Sequence, residues 1–148
     1  MDLTDEQALI NFSLAPLVVR RDIAMLGLLY RINAGIAPDV FSRYIFPSSR
    51  SYFPRGLRAQ TLRRNRQLHD HIDGSQSRMF QRSLFGLIYT YNILPQNLVD
   101  SKSVHIFQRR LQRGLMRAAK SNIVRWQNIF TVGIRNMTVV SFQMLFDD

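Results

Sequence analysis

Apolar and polar positions follow one another with helical spacing along much of this chain, beginning at its N-terminal end. Thr4 and Gln7 have the spacing of a capping box, which predicts a short helix that begins near Asp5 and stops before Pro16. The stretch 18–33 is apolar over most of its helical circumference. A helix with so broad an apolar surface is expected at the centre of a core.

Glycine and proline then mark the limits of the next elements. Gly35 predicts a left-handed stop for the helix over 18–33, and Pro38 suits the first turn of a following helix. Pro47 is expected to end that following helix, whose predicted apolar face consists of Val40, Phe41, Tyr44 and Ile45.

Helical spacing returns only after a long polar stretch. The segment 48–82 is rich in Arg, Ser, Asn and Gln and poor in large aliphatic residues, which predicts a long exposed connection. Apolar density over 82–93 predicts a helix that breaks at 94–95, although the aromatic and β-branched content leaves a strand as the alternative. Ser101 is predicted to cap a further helix over about 102–119.

These elements predict a mainly α fold, a small helical bundle with a long basic connecting loop and a C-terminal tail of uncertain structure. The helical domain takes residues 1–120 and includes the basic connection 48–82. The aromatic tail takes 121–148, where no period is sustained. Three or four helices are expected to pack around the large side chains of Leu26, Leu29, Tyr30, Phe41, Phe85, Ile88, Phe107 and Leu111.

Short fragments follow one another in a fixed order: RRD at 20–22, LLY at 28–30, GIAP at 35–38, RSLF at 82–85, NILP at 92–95 and FQRRL at 107–111. In that order, over about residues 14–115, the chain resembles the segment that follows the polymerase core in LINE-type, non-LTR retrotransposon reverse transcriptases. The family usually has an aromatic residue, commonly Trp, before its Asn-x-Leu-Pro step, where this chain has Tyr91. No resemblance extends beyond about Lys120.

The resemblance implies descent from, or a shortened copy of, the C-terminal region of such a reverse transcriptase. In that family the region lies beyond the fingers and palm and is thought to help hold template RNA or target DNA. The palm, with its metal-binding carboxylates, would lie before residue 1, so this chain is not expected to be an enzyme or to contain catalytic residues. Asp147 and Asp148 do not replace that site, because two-metal chemistry needs further carboxylates nearby.

The charge balance also favours a polyanionic partner. The chain has 20 Lys and Arg residues against 10 Asp and Glu residues, a net charge of +10, and all of the bases except Lys102 and Lys120 are arginines. Guanidinium groups bind phosphates bidentately and stack on bases, so the expected partner is an RNA or DNA backbone. A compositional bias of the genome, or arginines used for structural contacts within a large ribonucleoprotein, would give the same excess.

The predicted helix over 102–119 has the best-defined basic face. Its apolar side consists of Val104, Phe107, Leu111, Leu115 and Ala118. The opposite side carries the candidate nucleic-acid contacts Arg109, Arg113, Arg117 and Lys120, with Arg110 on the flank. No Asp or Glu occurs from 101 to 146, so this face is predicted to follow a phosphate backbone. An ordinary solvated helix face is the alternative.

A second group of candidate contacts lies in the basic connection and consists of Arg55, Arg58, Arg63, Arg64 and Arg66. Aromatic and amide side chains alternate with these arginines, a mixture that suits single-stranded RNA. A disordered basic loop would have the same composition. His69 and His71 could lie on one side of an extended strand, but nothing nearby supplies the other ligands of a zinc site, so no metal or other cofactor is expected.

The aromatic tail supplies the candidates for docking to a partner protein, Trp126, Phe130 and Phe142. The first hypothesis for function is a non-catalytic nucleic-acid-binding module that binds RNA rather than reading a DNA sequence. One alternative is a small basic accessory subunit of a large multiprotein or ribonucleoprotein assembly. Another is a fragment of a longer reverse transcriptase polyprotein. An acidic N-terminus and the lack of a membrane-spanning stretch favour an intracellular protein, in a compartment that the sequence does not specify.

Overall fold

A computed structural model describes residues 2–48, 67–71, 82–131 and 137–147 of the chain. These ranges contain six α-helices and two short 3-10 helices, and their residues form no β-strand. The predicted mainly α fold class is therefore confirmed. The α-helices are α1 Asp5–Phe12, α2 Leu17–Asn33, α3 Gly86–Ile93, α4 Gln96–Val99, α5 Val104–Lys120 and α6 Val139–Met144, and the 3-10 helices are Asp39–Arg43 and Trp126–Asn128. Within the described ranges, no helix has the length and apolar content needed to cross a membrane.

Helix α1 begins, and helix α2 ends, at the residues that the sequence predicts. The Gln7 main-chain N–H donates to Thr4 Oγ1 at 3.2 Å, and the Thr4 main-chain N–H donates to Gln7 Oε1 at 3.1 Å, which completes the capping box of α1. Gly35 has a φ of 74°, the left-handed conformation that ends α2. Its N–H donates to the Ile32 carbonyl at 3.1 Å, as in a Schellman motif. Both predicted boundaries are confirmed.

The element predicted after Pro38 differs from the expectation. It is a 3-10 helix of five residues, Asp39–Arg43, instead of an amphipathic α-helix. Of the apolar face predicted for it, only Ile45 is buried, while Val40 and Tyr44 are exposed. A 3-10 helix is rarely longer than about four residues, so the short segment between the two prolines forms no continuous apolar stripe.

Two predicted features before α5 are resolved by the structure. The apolar segment 82–93 contains α3, which begins at Gly86 after a turn over 82–85, and the alternative of a strand is wrong. Ser103 instead of Ser101 caps α5, because the Ile106 N–H donates to Ser103 Oγ at 3.2 Å. The Ser101 hydroxyl donates to the Leu98 carbonyl at 2.6 Å, and it thereby ends the unpredicted helix α4.

Aromatic rings of α2, α3 and α5 meet at the centre of the core. The ring centroids of Tyr30 and Phe107 are 4.9 Å apart in a stacked arrangement, and those of Tyr91 and Phe107 are 6.3 Å apart. The Tyr30 hydroxyl donates to the Ser101 carbonyl. Asn33 Nδ2 donates to the Tyr91 hydroxyl at 2.9 Å, so this buried hydroxyl has a hydrogen-bond partner at a position where the resembled family usually has Trp.

Most of the predicted core residues are confirmed. Phe41 and Phe85 are only half-buried. Phe41 lies in the short 3-10 helix and Phe85 lies in the turn before α3. Neither residue is on the apolar face of an α-helix, so each is only partly covered by the core. The predicted residues that are buried are Leu26, Leu29, Tyr30, Ile88, Phe107 and Leu111.

The described part of the aromatic tail belongs to the same apolar core as the helices before it. Trp126 is 6% exposed, and Phe130 and Phe142 are 0% exposed. The Phe142 and Phe146 ring centroids are 5.1 Å apart, and those of Phe130 and Phe142 are 6.3 Å apart. The three residues predicted to dock on a partner, Trp126, Phe130 and Phe142, are thus buried in the chain's own core.

The Phe146 ring of the tail packs directly against α5 at Gly114. A Cβ at this position would lie 2.1 Å from Phe146 Cε1, too close for any side chain. We expect Gly114→Ala to lower the free energy of unfolding by about 1–3 kcal/mol, because the Phe146 ring would have to leave its packed position. Urea denaturation measures the change.

Gly27→Ala is the matched control. A Cβ there would meet Gln108 Nε2 at 2.2 Å, which is the movable end of a flexible side chain. Ala is also the better helix former by about 1 kcal/mol, so we expect no loss of stability. Equal destabilisation by the two substitutions would contradict the difference between the two contacts.

Candidate functional site

A groove runs along the surface between α2 and α5, which lie antiparallel. The larger cavity in it has a volume of about 460 Å³, and the second has a volume of about 440 Å³. Ala24 and Gln108 line both cavities, so the two form one continuous feature, the α2–α5 groove. Its first end is lined by Ser13, Arg20, Ile23, Arg109, Gln112, Arg113 and Met116, and its second end by Gly27, Leu28, Arg31, Val104 and His105.

The spacing of small residues on α2 explains why the groove exists. Arg20, Ala24, Gly27 and Arg31 recur at intervals of three or four residues and therefore share one helix face. The middle of that face has almost no side-chain volume. Gln108 of α5 approaches it so closely that a Cβ on Gly27 would lie 2.2 Å from Gln108 Nε2.

Three exposed guanidinium groups meet at the first end of the groove. Arg20 of α2 lines the same cavity as Arg109 and Arg113 of α5. We call these three residues the arginine cluster. The sequence prediction included Arg109 and Arg113 but missed Arg20, which stood only in the RRD fragment. The spacing of Arg20 and Arg31 on the small-residue face of α2 is the signal that could have revealed it.

No carboxylate on either helix offsets these charges at the groove. The only acid of α2 is Asp22, which is 1% exposed and does not line the groove. Helix α5 contains no acid at all. The positive potential of the arginine cluster is therefore uncompensated by the helices that form it, and an anionic ligand would be attracted to this end.

Two amide side chains on α5 are hydrogen-bonded to main-chain carbonyls in the groove wall. Gln112 Nε2 donates to the Ser13 carbonyl at 2.8 Å, and Gln108 Nε2 donates to the Ile23 carbonyl at 3.4 Å. Because a carbonyl can only accept, the NH₂ group of each amide must face the main chain. The Oε1 atom of each amide is thereby left as an acceptor, and both side chains line the cavity that contains the arginine cluster.

Arg110 has a structural contact instead of a place in the groove. Its Nη1 donates to the Asn97 carbonyl at 2.7 Å and to Ser101 Oγ at 3.3 Å, which ties α5 to α4. Lys120 is exposed as the last residue of α5 and also does not line the groove. Both were predicted as nucleic-acid contacts on the basic face.

Arg117 likewise binds the chain's own backbone. Its Nη1 donates to the Leu145 carbonyl at 2.7 Å and to the Asp147 carbonyl at 3.0 Å, which fastens the residues after α6 to the end of α5. The predicted basic face is thus divided between two groups of residues. Arg109 and Arg113 line the groove, whereas Arg110 and Arg117 hold the fold together.

The second predicted group of basic contacts cannot be placed. Arg55, Arg58, Arg63, Arg64 and Arg66 lie outside the described residues, and their role stays a prediction. The described residues next to them are fixed to the fold, since the Ser48 N–H donates to the Gln67 carbonyl at 2.8 Å and the His69 N–H donates to the Phe46 carbonyl at 2.9 Å.

The two histidines pack with aromatic rings. His69 stacks on Phe46 with a centroid distance of 5.0 Å and an interplanar angle of 9°. His71 Nε2 lies 2.6 Å from the Tyr44 carbonyl, which makes this nitrogen the donor. Within the described ranges, no group of three or more His, Asp or Glu side chains is arranged to hold a metal ion.

One buried carboxylate lies outside the groove. Asp22 Oδ2 has no hydrogen-bond partner, and burial raises the pKa of this carboxyl to about 6, although the nearby Arg82 guanidinium opposes the rise. Arg82 Nε donates to Thr131 Oγ1 at 3.1 Å, and its Nη2 donates to Asn128 Oδ1. The sequence pattern did not indicate a buried carboxylate here, because Asp22 directly follows two arginines in the RRD fragment.

Comparison with known proteins does not identify the chain. No protein-family model matches it, and no curated protein and no solved structure matches it either. The resemblance to the post-polymerase region of non-LTR reverse transcriptases therefore stays a hypothesis that rests on the order of its fragments. The function of the α2–α5 groove has to be inferred from the side chains that line it.

Proposed function

We propose that the protein is a non-catalytic nucleic-acid-binding module that holds single-stranded RNA in the α2–α5 groove. The observation that carries this proposal is the meeting of Arg20, Arg109 and Arg113 at one cavity that no carboxylate of α2 or α5 faces. Guanidinium groups bind phosphate oxygens bidentately and keep their charge at any physiological pH. Three of them at one cavity can contact successive phosphates of a strand.

The shape of the surface favours a single strand over a duplex. The basic side chains line a groove between two packed helices instead of projecting from one exposed helix. Recognition of B-DNA usually inserts a helix into a major groove about 12 Å wide, which needs a protruding element. From Arg20 to Arg31 the groove extends about 16 Å along α2, enough for several nucleotides of a strand.

The resemblance described in the sequence supports the same ligand. Its fragments at 20–22 and 107–111 contain Arg20 and Arg109, which lie on opposite walls of the groove. In non-LTR reverse transcriptases the corresponding region is thought to help hold template RNA or target DNA. We therefore propose descent from such a region, with the nucleic-acid contact retained and without polymerase chemistry.

A salt series with the arginine cluster removed tests the proposal. We expect Arg20→Gln/Arg109→Gln/Arg113→Gln to bind a fluorescent single-stranded RNA at least about tenfold more weakly at low salt. Each lost phosphate contact removes about 0.7 from the slope of log K against log salt, so the slope should flatten by about two. Fluorescence anisotropy measures both quantities.

A variant with the same loss of charge elsewhere is the control. Arg21, Arg43 and Arg125 are exposed and do not line the groove. Both variants lose three positive charges, so they lose the same long-range attraction to RNA. We expect Arg21→Gln/Arg43→Gln/Arg125→Gln to retain most of the wild-type salt slope, because it keeps the arginines that contact phosphates. Equal slopes in the two variants would contradict a site in the groove.

A second function, that of an accessory subunit in a larger assembly, is favoured by one apolar surface. Phe12, Leu14 and Leu17 are 61%, 57% and 57% exposed around the turn between α1 and α2. Several large apolar side chains exposed within six residues of the sequence make this turn a candidate protein-binding surface. If the wild-type protein binds RNA only weakly and with a flat salt slope, this surface becomes the better candidate for function.

A further inference from the structure

We propose that Gln108 and Gln112 make the groove select RNA over DNA by accepting hydrogen bonds from ribose 2′-hydroxyl groups. The proposal rests on the function proposed above and adds the chemical feature of the ligand that the groove recognises. It concerns two residues whose role the charge argument does not explain. Both line the cavity that contains the arginine cluster.

The first step is that each amide keeps its oxygen as an acceptor for a ligand. One N–H of Gln112 Nε2 donates to the Ser13 carbonyl at 2.8 Å, and one N–H of Gln108 Nε2 donates to the Ile23 carbonyl at 3.4 Å. A carbonyl oxygen has no hydrogen to donate, so neither amide can be reversed without losing its contact. The ligand groups that suit the two Oε1 atoms are therefore hydroxyl or N–H donors.

The second step is the position of these acceptors relative to the phosphates. Gln108 and Gln112 are four residues apart on α5, so their Cβ atoms are about 6 Å apart on one helix face. Each is the immediate neighbour in sequence of an arginine of the cluster, Arg109 or Arg113. The acceptors and the phosphate-binding groups therefore alternate along the wall of one groove.

The third step is that RNA has a donor at this place in every nucleotide. The 2′-hydroxyl lies next to the phosphate on the same sugar, whatever the base, and it can donate to an amide oxygen. DNA has only C–H groups there, so a DNA strand held by the same arginines would cover the amide oxygens without bonding them. A covered acceptor without a donor weakens binding. Ile23, Ala24 and Met116 line the rest of the cavity with apolar surface suited to the sugar carbons.

The test compares strands that differ only at the 2′ position. Single-stranded oligouridylate of about 15 nucleotides, the matching deoxyuridine strand and its 2′-O-methyl form are titrated with the full chain at one salt concentration. Two neutral hydrogen bonds of about fivefold each predict that RNA binds at least about tenfold more tightly than the deoxy strand. The 2′-O-methyl strand, which lacks the donor, should bind as weakly as DNA.

Substitution of the amides should abolish this preference and leave the arginine contacts. We expect Gln108→Met/Gln112→Met to bind RNA and DNA with a ratio near one, through a loss of RNA affinity at unchanged salt slope. Gln143→Met is the matched control, because Gln143 Nε2 makes the same kind of contact, to the Ile93 carbonyl at 2.9 Å, away from the groove. The control should keep the wild-type ratio, and circular dichroism checks that both variants are folded.

The failures of the two proposals can be told apart. If the wild type binds none of the strands, the proposed function itself is wrong. If it binds RNA and DNA equally, or if the amide variant keeps the wild-type ratio, the role of Gln108 and Gln112 is wrong and the arginine groove stands. If the 2′-O-methyl strand binds like RNA while an exchange of the base changes the affinity, the amides read base edges and the ribose proposal is overturned.

Discussion

Replacing Asn92 by Ala is expected to lower the free energy of unfolding by about 4 kcal/mol, because the Asn92 amide forms hydrogen bonds with the buried backbone of Leu68. Asn92 Oδ1 accepts the Leu68 N–H at 2.8 Å, and Asn92 Nδ2 donates to the Leu68 carbonyl at 2.8 Å. Asn92 is 1% exposed and Leu68 is 0% exposed. Removal of the amide would leave both backbone groups without that partner, at about 1–3 kcal/mol each.

Removal of the Asn92 amide should first destabilise the segment 67–71 that it holds. Leu68 also forms an antiparallel bridge with Pro47, so the Asn92 amide and the 46–48 backbone hold the segment 67–71 from two sides. Without the amide, we expect the Leu68 N–H to lose its protection against hydrogen exchange before the helices do. Urea denaturation gives the global change, and exchange followed by mass spectrometry or NMR gives the local one.

Asn11→Ala is the matched control for this prediction. Asn11 is an exposed residue of α1, so the same chemical change removes no buried contact there. Ala is the better helix former, and the control should be neutral or slightly stabilising. An Asn92→Ala variant that loses less than about 1 kcal/mol and keeps its Leu68 amide protected would show that the two backbone groups do not depend on Asn92.

The helices could be predicted because their signals are local. The capping box at Thr4 and the glycine at Gly35 fix two boundaries through contacts within four or five residues of the chain. Arg109 and Arg113 could be placed on one basic face for the same reason, since helical spacing alone puts them together. Arg20 could not, because its position in the groove depends on how α2 and α5 pack, a contact between residues far apart in sequence.

The differences between the predicted and the observed positions of these side chains have a common physical origin. A helical wheel assigns Arg110 and Arg117 to the polar side of α5, but it contains no information about nearby main-chain carbonyls. Those carbonyls lie in α4 and after α6, where they accept hydrogen bonds from the two arginines. The tail was expected to dock on a partner because of its large aromatic residues, and its own structure was left open because its sequence has no sustained period. Its burial depends on the space above Gly114, which only the packed structure defines.

Replacing Asp22 by Asn is expected to stabilise the fold by about 1–3 kcal/mol near pH 8, because the loss of a buried charge exceeds the cost of burying the amide N–H groups. Burial raises the pKa of this carboxyl from its ordinary value of 3.8 to about 6, and the attraction of Arg82 only partly offsets the effect. At 1.4 kcal/mol for each factor of ten, that rise corresponds to a penalty of about 3 kcal/mol for the ionised form in the folded state. Asn has the shape and neutrality of the protonated carboxyl, so it removes the penalty.

The sign of the pH dependence follows from the direction of this shift. Below about pH 3 the Asp22 carboxyl is largely protonated in both the folded and the unfolded states, and it imposes no penalty. As the pH rises from about 3 to about 6, the unfolded state releases its proton first, and the stability contributed by this residue falls. We therefore expect the wild type and Asp22→Asn to be equally stable at about pH 3 and to diverge up to about pH 7, as thermal or urea unfolding would measure.

Asp39→Asn separates burial from a general effect of charge. Asp39 is exposed at the start of the 3-10 helix, so its replacement makes the same change in net charge without altering a buried group. We expect it to change the free energy of unfolding by less than about 0.5 kcal/mol at either pH. If Asp22→Asn instead destabilises the fold at pH 8, the attraction between Asp22 and Arg82 exceeds the cost of burial. The carboxylate would then be a stabilising charge that links α2 to the turn before α3.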